Sequence, residues 1–250
     1  MSTQRPTALV TGASQGIGAA IAVGLAQNGF DVAVSSTHPE KLSDVLSQLA
    51  ATGARSVPLE LDVCSHPSIA KAMGEAIGAF GQVDVLVNNA GIPLKKPAVD
   101  ITAEEWDCVM NTNVTGTFFM SQEMGRHLLA ARRPGCIINI ASTHGLVSLP
   151  ERAAYSIAKA AVIHMARVLA VEWAGHGIRV NAIVPGRVDT ASRAGSLAEP
   201  GYRDMALSRI PLRRFATSDE IAAAVCYLAS PEAGYITGQA LVLDGGLTAQ

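Results

Sequence analysis

Thr7-Ala8-Leu9-Val10-Thr11-Gly12-Ala13-Ser14-Gln15-Gly16-Ile17-Gly18 is the stretch on which the reading of this 250-residue chain turns. An apolar, strand-like run passes directly into glycines, and the glycines pass into a helix-compatible segment at 17–28 that stops at Gly29. Glycines let the backbone turn sharply and come close to a ligand. A phosphate at that turn would meet the unpaired N–H groups and positive dipole end of the helix. A glycine-rich turn without a ligand has the same sequence, so the motif takes its meaning from what surrounds it.

Working outward, short apolar runs recur at 31–35, 57–61, 83–87, 136–140, 178–183 and 240–243. Most are continuously apolar rather than alternating, the pattern of strands buried on both faces of a parallel sheet. Helix-compatible segments separate them, at 39–51 ending near Gly53 and at 67–80 ending at Gly81. Strand and helix in alternation predict an α/β fold: one Rossmann-type, doubly wound sheet of about seven parallel strands with helices on both faces. No low-complexity linker or charge run divides the chain, so residues 1–250 read as a single domain. The segment 190–207, rich in Ala, Gly, Ser and Pro, reads as an irregular substrate loop reaching to about 208.

Composition narrows the function. Apolar residues make up 49%, enough for a sizeable core, while aromatics at 4% suit closely packed helices on a sheet. A net charge of −2 offers no bulk field for nucleic acid or an anionic membrane. Cys64, Cys108, Cys136 and Cys226 lack CxxC spacing and a histidine cluster; they are expected as small core residues, and no metal site is expected. No run reaches about 18 consecutive apolar residues and no leader pattern opens the chain, which gives the expectation of a soluble, cytoplasmic protein.

Tyr155 and Lys159 lie four apart at the start of a long helical stretch, with Ser142 upstream. On one helix face a lysine ammonium can favour the phenolate, which makes a proton-transfer device. A solvated Tyr/Lys pair would have the same spacing. Asn88-Asn89-Ala90-Gly91 follows the 83–87 run, at the strand end where open α/β sheets bind ligands.

Together these motifs resemble the short-chain dehydrogenase/reductase family along essentially the whole chain. Thr11-Gly12 to Gly18 is similar to its TGxxxGxG loop, Asn88 to Gly91 to its NNAG, Asn113 to its active-site asparagine, Ser142 to its serine and Tyr155/Lys159 to its YxxxK. Pro185-Gly186 with Thr190, and Asp244-Gly245-Gly246, match its later segments.

The resemblance implies a catalytic set of Asn113, Ser142, Tyr155 and Lys159. Tyr155 would be the acid toward a carbonyl oxygen that gains charge as hydride adds to carbon. Ser142 would donate to that oxygen, Lys159 would also bond the nicotinamide ribose, and Asn113 would hold a water linking Lys159 to solvent. It further implies cofactor contacts at Gly12, Ser14, Gln15, Gly16, Ile17, Gly18, Ser36, Thr37, Asp62, Val63, Asn89, Ala90, Gly91, Tyr155, Lys159, Pro185, Gly186, Val188 and Thr190. An acid at Ser36 would bind the ribose of NAD and repel the 2′-phosphate of NADP; its absence favours NADP(H), with NAD(H) the alternative. His144 and Glu151 border the substrate in the family, and His144 stays unassigned. The expected substrate is a small-molecule or thioester carbonyl, most like that of 3-oxoacyl-[acyl-carrier-protein] reductases, with sugar or polyol dehydrogenases and cyclic-ketone reductases as alternatives. An acyl carrier partner would need a basic patch, and Arg126, Arg132 and Arg133 form the one local cluster. A non-catalytic dinucleotide-binding scaffold would have no need to keep Ser142, Tyr155 and Lys159 together.

The helices at 114–131 and 153–173 are apolar almost all round, so they are expected to pack against another copy of the chain, as a homodimer or homotetramer.

Overall fold

The computed structural model describes residues 5–190 and 201–249. Seven parallel strands form one sheet: β1 Thr7–Val10, β2 Asp31–Ser36, β3 Ser56–Glu60, β4 Val85–Asn88, β5 Gly135–Ile140, β6 Ile178–Pro185 and β7 Ala240–Leu243. Their spatial order is β3-β2-β1-β4-β5-β6-β7. β1 therefore pairs with β2 on one side and β4 on the other, with Leu9 opposite Ala33 and Leu86. The chain leaves β1 and β4 toward opposite faces there, which opens a crevice at their carboxyl ends.

The continuous apolar character of the strands follows from this layering. Leu9, Leu86 and Ile137 face one core with Met73, Met124, Leu128, Val162 and Leu169. Val10, Val32, Val87 and Ile138 face the other with Ile21, Leu25, Leu49 and Val225. The first core is covered by α3 (His66–Phe80), α5 (Gly116–Ala131) and α6 (Ala153–Trp173), and the second by α1 (Gly16–Gln27), α2 (Ser43–Ala51) and α8 (Ser218–Ala229). By length and composition the stretch Ala153–His176 could cross a membrane; here Val162, Ile163, Ala166, Leu169 and Ala170 lie buried in the core.

Several expected boundaries shift. β4 begins at Val85 rather than Val83, because the Val83 N–H donates to His127 Nε2 (3.2 Å) and leaves the ladder. The segment 39–51 is a 3₁₀ turn, Pro39–Leu42, followed by α2. α5 does not start at Val114: α4 (Ala103–Met110) runs through a π turn, Asn111–Thr115, into Gly116. Of the expected loop 190–207, residues 191–200 lie outside the described residues, and the described remainder enters a helix, α7 (Tyr202–Ser208). Cys136 and Cys226 are buried as expected. Cys64, in the turn after β3, and Cys108, on the outer side of α4, are exposed.

Candidate active site

The glycine loop is fixed from the side by the segment after β4. Thr11 Oγ1 accepts the N–H groups of Asn89 and Ala90, each at 3.0 Å. Asn89 Nδ2 donates to the carbonyls of Thr11 (3.0 Å) and Gly12 (2.9 Å). Gly12 has φ +63°, and a Cβ on it would lie 2.9 Å from Ala90 Cα. At Gly18 a Cβ would fall 2.5 Å from both Asn89 Nδ2 and the Gly12 carbonyl, so the start of α1 packs directly on this bonded loop. Asn89, expected as a cofactor contact, commits both amide N–H groups to the loop.

The loop fits a dinucleotide's phosphates. α1 begins with no capping side chain at Gln15 and no acid in its first turn, so its terminal N–H groups are open to an anion. The first atoms that a Cβ on Gly16 would meet belong to Thr190, at 3.7 Å. Thr190 thus stands over the loop, carried there from the end of β6 through Pro185, Gly186 and Val188. Gly186 packs on Asp244, whose Cα would be 2.8 Å from a Cβ, and Val188 bridges to Ala216. Asp244 itself caps its own turn, accepting from Gly246 N (2.8 Å), Thr248 N (2.8 Å) and Thr248 Oγ1 (2.6 Å).

Ser36 ends β2 buried, its Oγ accepting the His38 N–H at 3.1 Å and keeping its own proton to donate. Thr37 beside it is exposed. Asp62 and Val63 follow β3. The Asp62 carboxylate accepts Cys64 N (2.9 Å), and Val63 is pressed against Gly116, where a Cβ would lie 2.7 Å from its carbonyl.

Asn113 is fully buried in the π turn. Its Oδ1 accepts Ile92 N (3.2 Å), and its Nδ2 donates to the carbonyls of Ile92 (2.9 Å) and Val109 (3.0 Å). Gly91 joins it to the lysine: a Cβ there would stand 2.5 Å from Asn113 Oδ1 and 3.4 Å from Lys159 Nζ. Lys159 is 5% exposed. Its Nζ donates to the Ile140 carbonyl (2.8 Å) and lies 5.7 Å from the centre of the Tyr155 ring. Burial pushes its pKa down to about 8, because an ammonium removed from water loses its solvation.

Ser142, just past β5, accepts the His144 N–H at Oγ (3.2 Å), which leaves its hydroxyl proton to donate elsewhere. The 3₁₀ turn Thr143–Gly145 that follows is set hard against α6, with Gly145 so close that a Cβ would be 2.7 Å from the Lys159 carbonyl carbon. The His144 ring meets the half-buried Tyr155 edge to face, centroids 5.7 Å apart at 84°. Two partners in this arrangement left no mark in the sequence. The Ile140 carbonyl that holds Lys159 is a backbone group, and the contact of His144 with Tyr155 depends on a turn without a motif. Among the described residues no group of three or more His, Cys, Asp or Glu could hold a metal.

The profile of the family described as enoyl-(acyl carrier protein) reductase matches residues 12–248. A D-threitol dehydrogenase of Mycolicibacterium smegmatis is 40% identical over 242 residues, covering 96% of this chain and 92% of that protein. A 3-oxoacyl-[acyl-carrier-protein] reductase of Thermotoga maritima is 36% identical over 247 residues, covering 99% of each. A crystal structure assigned as a 2-deoxy-D-gluconate 3-dehydrogenase from Agrobacterium tumefaciens, with bound NADP, superposes with a TM-score of 0.91 at 36% identity, covering 100% of this chain and 98% of that one. The doubly wound sheet, the bonded glycine loop and these similarities define an oxidoreductase of the dinucleotide-binding α/β class. The chain belongs to the short-chain dehydrogenase/reductase family.

Proposed function

We propose that this chain interconverts a secondary alcohol and its carbonyl, with Tyr155 as proton donor in reduction and acceptor in oxidation. The observation that carries the reading is the buried Lys159 held beside the Tyr155 ring, where its charge favours the phenolate over the phenol. A nicotinamide held in this crevice would supply the hydride in reduction and accept it in oxidation. Ser142, its Oγ already bonded by the His144 N–H, donates to the reacting oxygen and orients the carbonyl. Asn113 fixes the backbone at Ile92 beside Lys159, and so holds the floor of the site in register. The phosphates would rest on residues 12–18, with Ser36 and Thr37 toward the adenosine ribose and Pro185, Gly186, Val188 and Thr190 toward the nicotinamide. NADP(H) is favoured because Ser36 offers a hydroxyl where a carboxylate would repel a 2′-phosphate, and NAD(H) is the second choice.

For the substrate we favour a small polyol or sugar over an acyl-carrier thioester. The arginine cluster that an acidic carrier would need is largely engaged: Arg126 pairs with Glu123 (2.6 Å) and Arg133 with Asp84 (3.2 Å). Just ahead of the helix that carries Tyr155, Glu151 forms an exposed ion pair with Lys95 (3.6 Å), polar groups of a kind that suit a polyol. The thioester reading has support from the exposed Leu146 and Val147, which suit an acyl chain. NADPH and NADH oxidation against keto-sugars, cyclic diketones and acetoacetyl thioesters tests the choice. A keto-sugar with the highest kcat/KM, and NADPH ahead of NADH, is expected; a thioester in first place reverses the substrate order, and NADH in first place reverses the cofactor order.

A second copy is the favoured partner for α5 and α6, because Phe118, Ile157, Val168 and Val171 remain exposed on them. Light scattering is expected to give a multiple of 25.9 kDa, and a 25.9 kDa species at micromolar concentration would remove this part of the proposal.

A further inference from the structure

A thread of hydrogen-bonded polar side chains crosses the core behind the candidate site and has no part in the chemistry above. Asn88 on β4 and Asn139 on β5 lie opposite one another in the sheet. Asn88 Nδ2 donates both of its protons, one to Asn139 Oδ1 and one to Ser121 Oγ on α5, each at 2.9 Å. Ser121 Oγ donates in turn to the Thr117 carbonyl (2.7 Å), and Thr117 Oγ1 to the Asn113 carbonyl (2.8 Å). All five residues are buried. Linked polar groups in a low-dielectric core strengthen one another and fix one arrangement of their members. The thread ends at the π turn Asn111–Thr115, where the Gly116 N–H reaches back five residues to the Asn111 carbonyl. Such turns are rare, and hydroxyls that bond the carbonyl four residues back bend the helices that carry them. From Asn113 the connection continues to the lysine. Its amide brackets the Ile92 N–H and carbonyl, and Gly91 lies between Asn113 Oδ1 and Lys159 Nζ.

We propose that Thr117 is a positioning residue for the reaction: its hydroxyl holds the Asn113 peptide in the π turn, and Ser121 and Asn88 anchor that hold to the sheet. Without the hydroxyl the Asn113 carbonyl loses a buried partner, and the turn relaxes toward ordinary α-helical bonding. That relaxation draws the Asn113 amide away from Ile92 and unseats the backbone against which Lys159 is buried. Thr117 lies in the core, so its effect reaches the reaction through Asn113 and Lys159. The inference rests on the oxidoreductase reading above and deepens it by assigning what holds the floor of the site in place.

The test compares the wild type with Thr117→Val, which keeps the shape and removes the hydroxyl, and Thr117→Ser, which keeps the hydroxyl. Each is measured for kcat and KM on the best substrate across about pH 6–10, for NADPH affinity and for thermal melting. Thr117→Val is expected to lower kcat at least about tenfold while KM and NADPH affinity stay within about threefold. Its kcat profile should also move to higher pH, as water reaching Lys159 returns that group from about 8 toward 10.5. Thr117→Ser should restore most of both. A Thr117→Val protein that melts lower but keeps the wild-type kcat and pH profile would overturn the inference. So would a Thr117→Ser protein as impaired as Thr117→Val, which would assign the effect to packing. If Thr117→Val does not fold, Ser121→Ala cuts the thread one link further from the site; a loss of at least about threefold in kcat supports the inference and an unchanged kcat overturns it. Failure of the underlying reading is seen separately, as full turnover by Tyr155→Phe whatever the Thr117 variants do.

Discussion

The two sides of the crevice are built on different principles. On the cofactor side two side chains lock the backbone in place: Thr11 Oγ1 accepts the N–H groups of Asn89 and Ala90 and Asn89 Nδ2 donates to the carbonyls of Thr11 and Gly12, all between 2.9 and 3.0 Å, and Gly18 fits where no Cβ could. On the side where the substrate is proposed to lie, the segment after β5 offers side chains carried in turns, among them His144, the exposed Leu146 and Val147, and Glu151, which pairs with Lys95 and has φ +62°. A dinucleotide presents the same phosphates to every relative, so a fixed backbone can recognise it. A substrate that differs from relative to relative has to be recognised by side chains that can change without disturbing the fold.

The largest expected effect crosses from one side to the other. Lys159→Met removes the charge beside Tyr155, and turnover is expected to fall by about 10²–10⁴-fold, the usual worth of an acid–base device. The same variant should be more stable than the wild type at neutral pH. Below about pH 8 the lysine is charged in both states, and the folded chain bears the full cost of burying that charge. Between about 8 and the ordinary lysine value of 10.5 it is neutral only when folded, so wild-type stability rises through that window. The gain from methionine is therefore largest below pH 8, on the order of 3 kcal/mol, and fades toward 10.5. Thermal melts of the cofactor-free protein across pH 7–11 measure it, and a variant less stable than the wild type at pH 7 would contradict the burial argument.

Gly18→Ala attacks the cofactor side alone. Its methyl collides with the Gly12 carbonyl and Asn89 Nδ2, so the loop must shift, at about 1–3 kcal/mol in stability and at least roughly tenfold in cofactor affinity. Fluorescence titration with NADPH reads the second effect, and unchanged affinity would show that the bonded loop is not the phosphate site. Ser36→Asp should cost less in total but invert a ratio, lowering kcat/KM for NADPH relative to NADH by about tenfold through repulsion of the 2′-phosphate. The smallest effect is expected on the substrate rim. Glu151→Gln breaks an exposed pair with Lys95 and should change stability by less than about 1 kcal/mol.

The same contrast governs what the sequence reveals. The strand runs are legible because burial on two faces forces continuous apolar character, and the glycine loop because no other residue fits at Gly12 and Gly18. Asn113 is legible as a candidate site residue, but not the π turn that holds it. That turn accompanies an amide donating to the Val109 carbonyl four residues back, in competition with the helix's own hydrogen bond. The start of β4 was hidden because His127, forty-four residues later, takes the Val83 N–H. The position of His144 between Ser142 and Tyr155 is legible in the sequence, whereas its ring against Tyr155 comes from the way Gly145 seats a turn on α6.

The central claim is that Tyr155 moves the proton while the bonded loop holds the cofactor independently of it. Tyr155→Phe, measured for turnover on the best substrate and for NADPH affinity in parallel, tests both halves at once. The account predicts a loss of about 10²–10⁴-fold in kcat with cofactor affinity within about threefold of the wild type. Full turnover by the phenylalanine variant would contradict it.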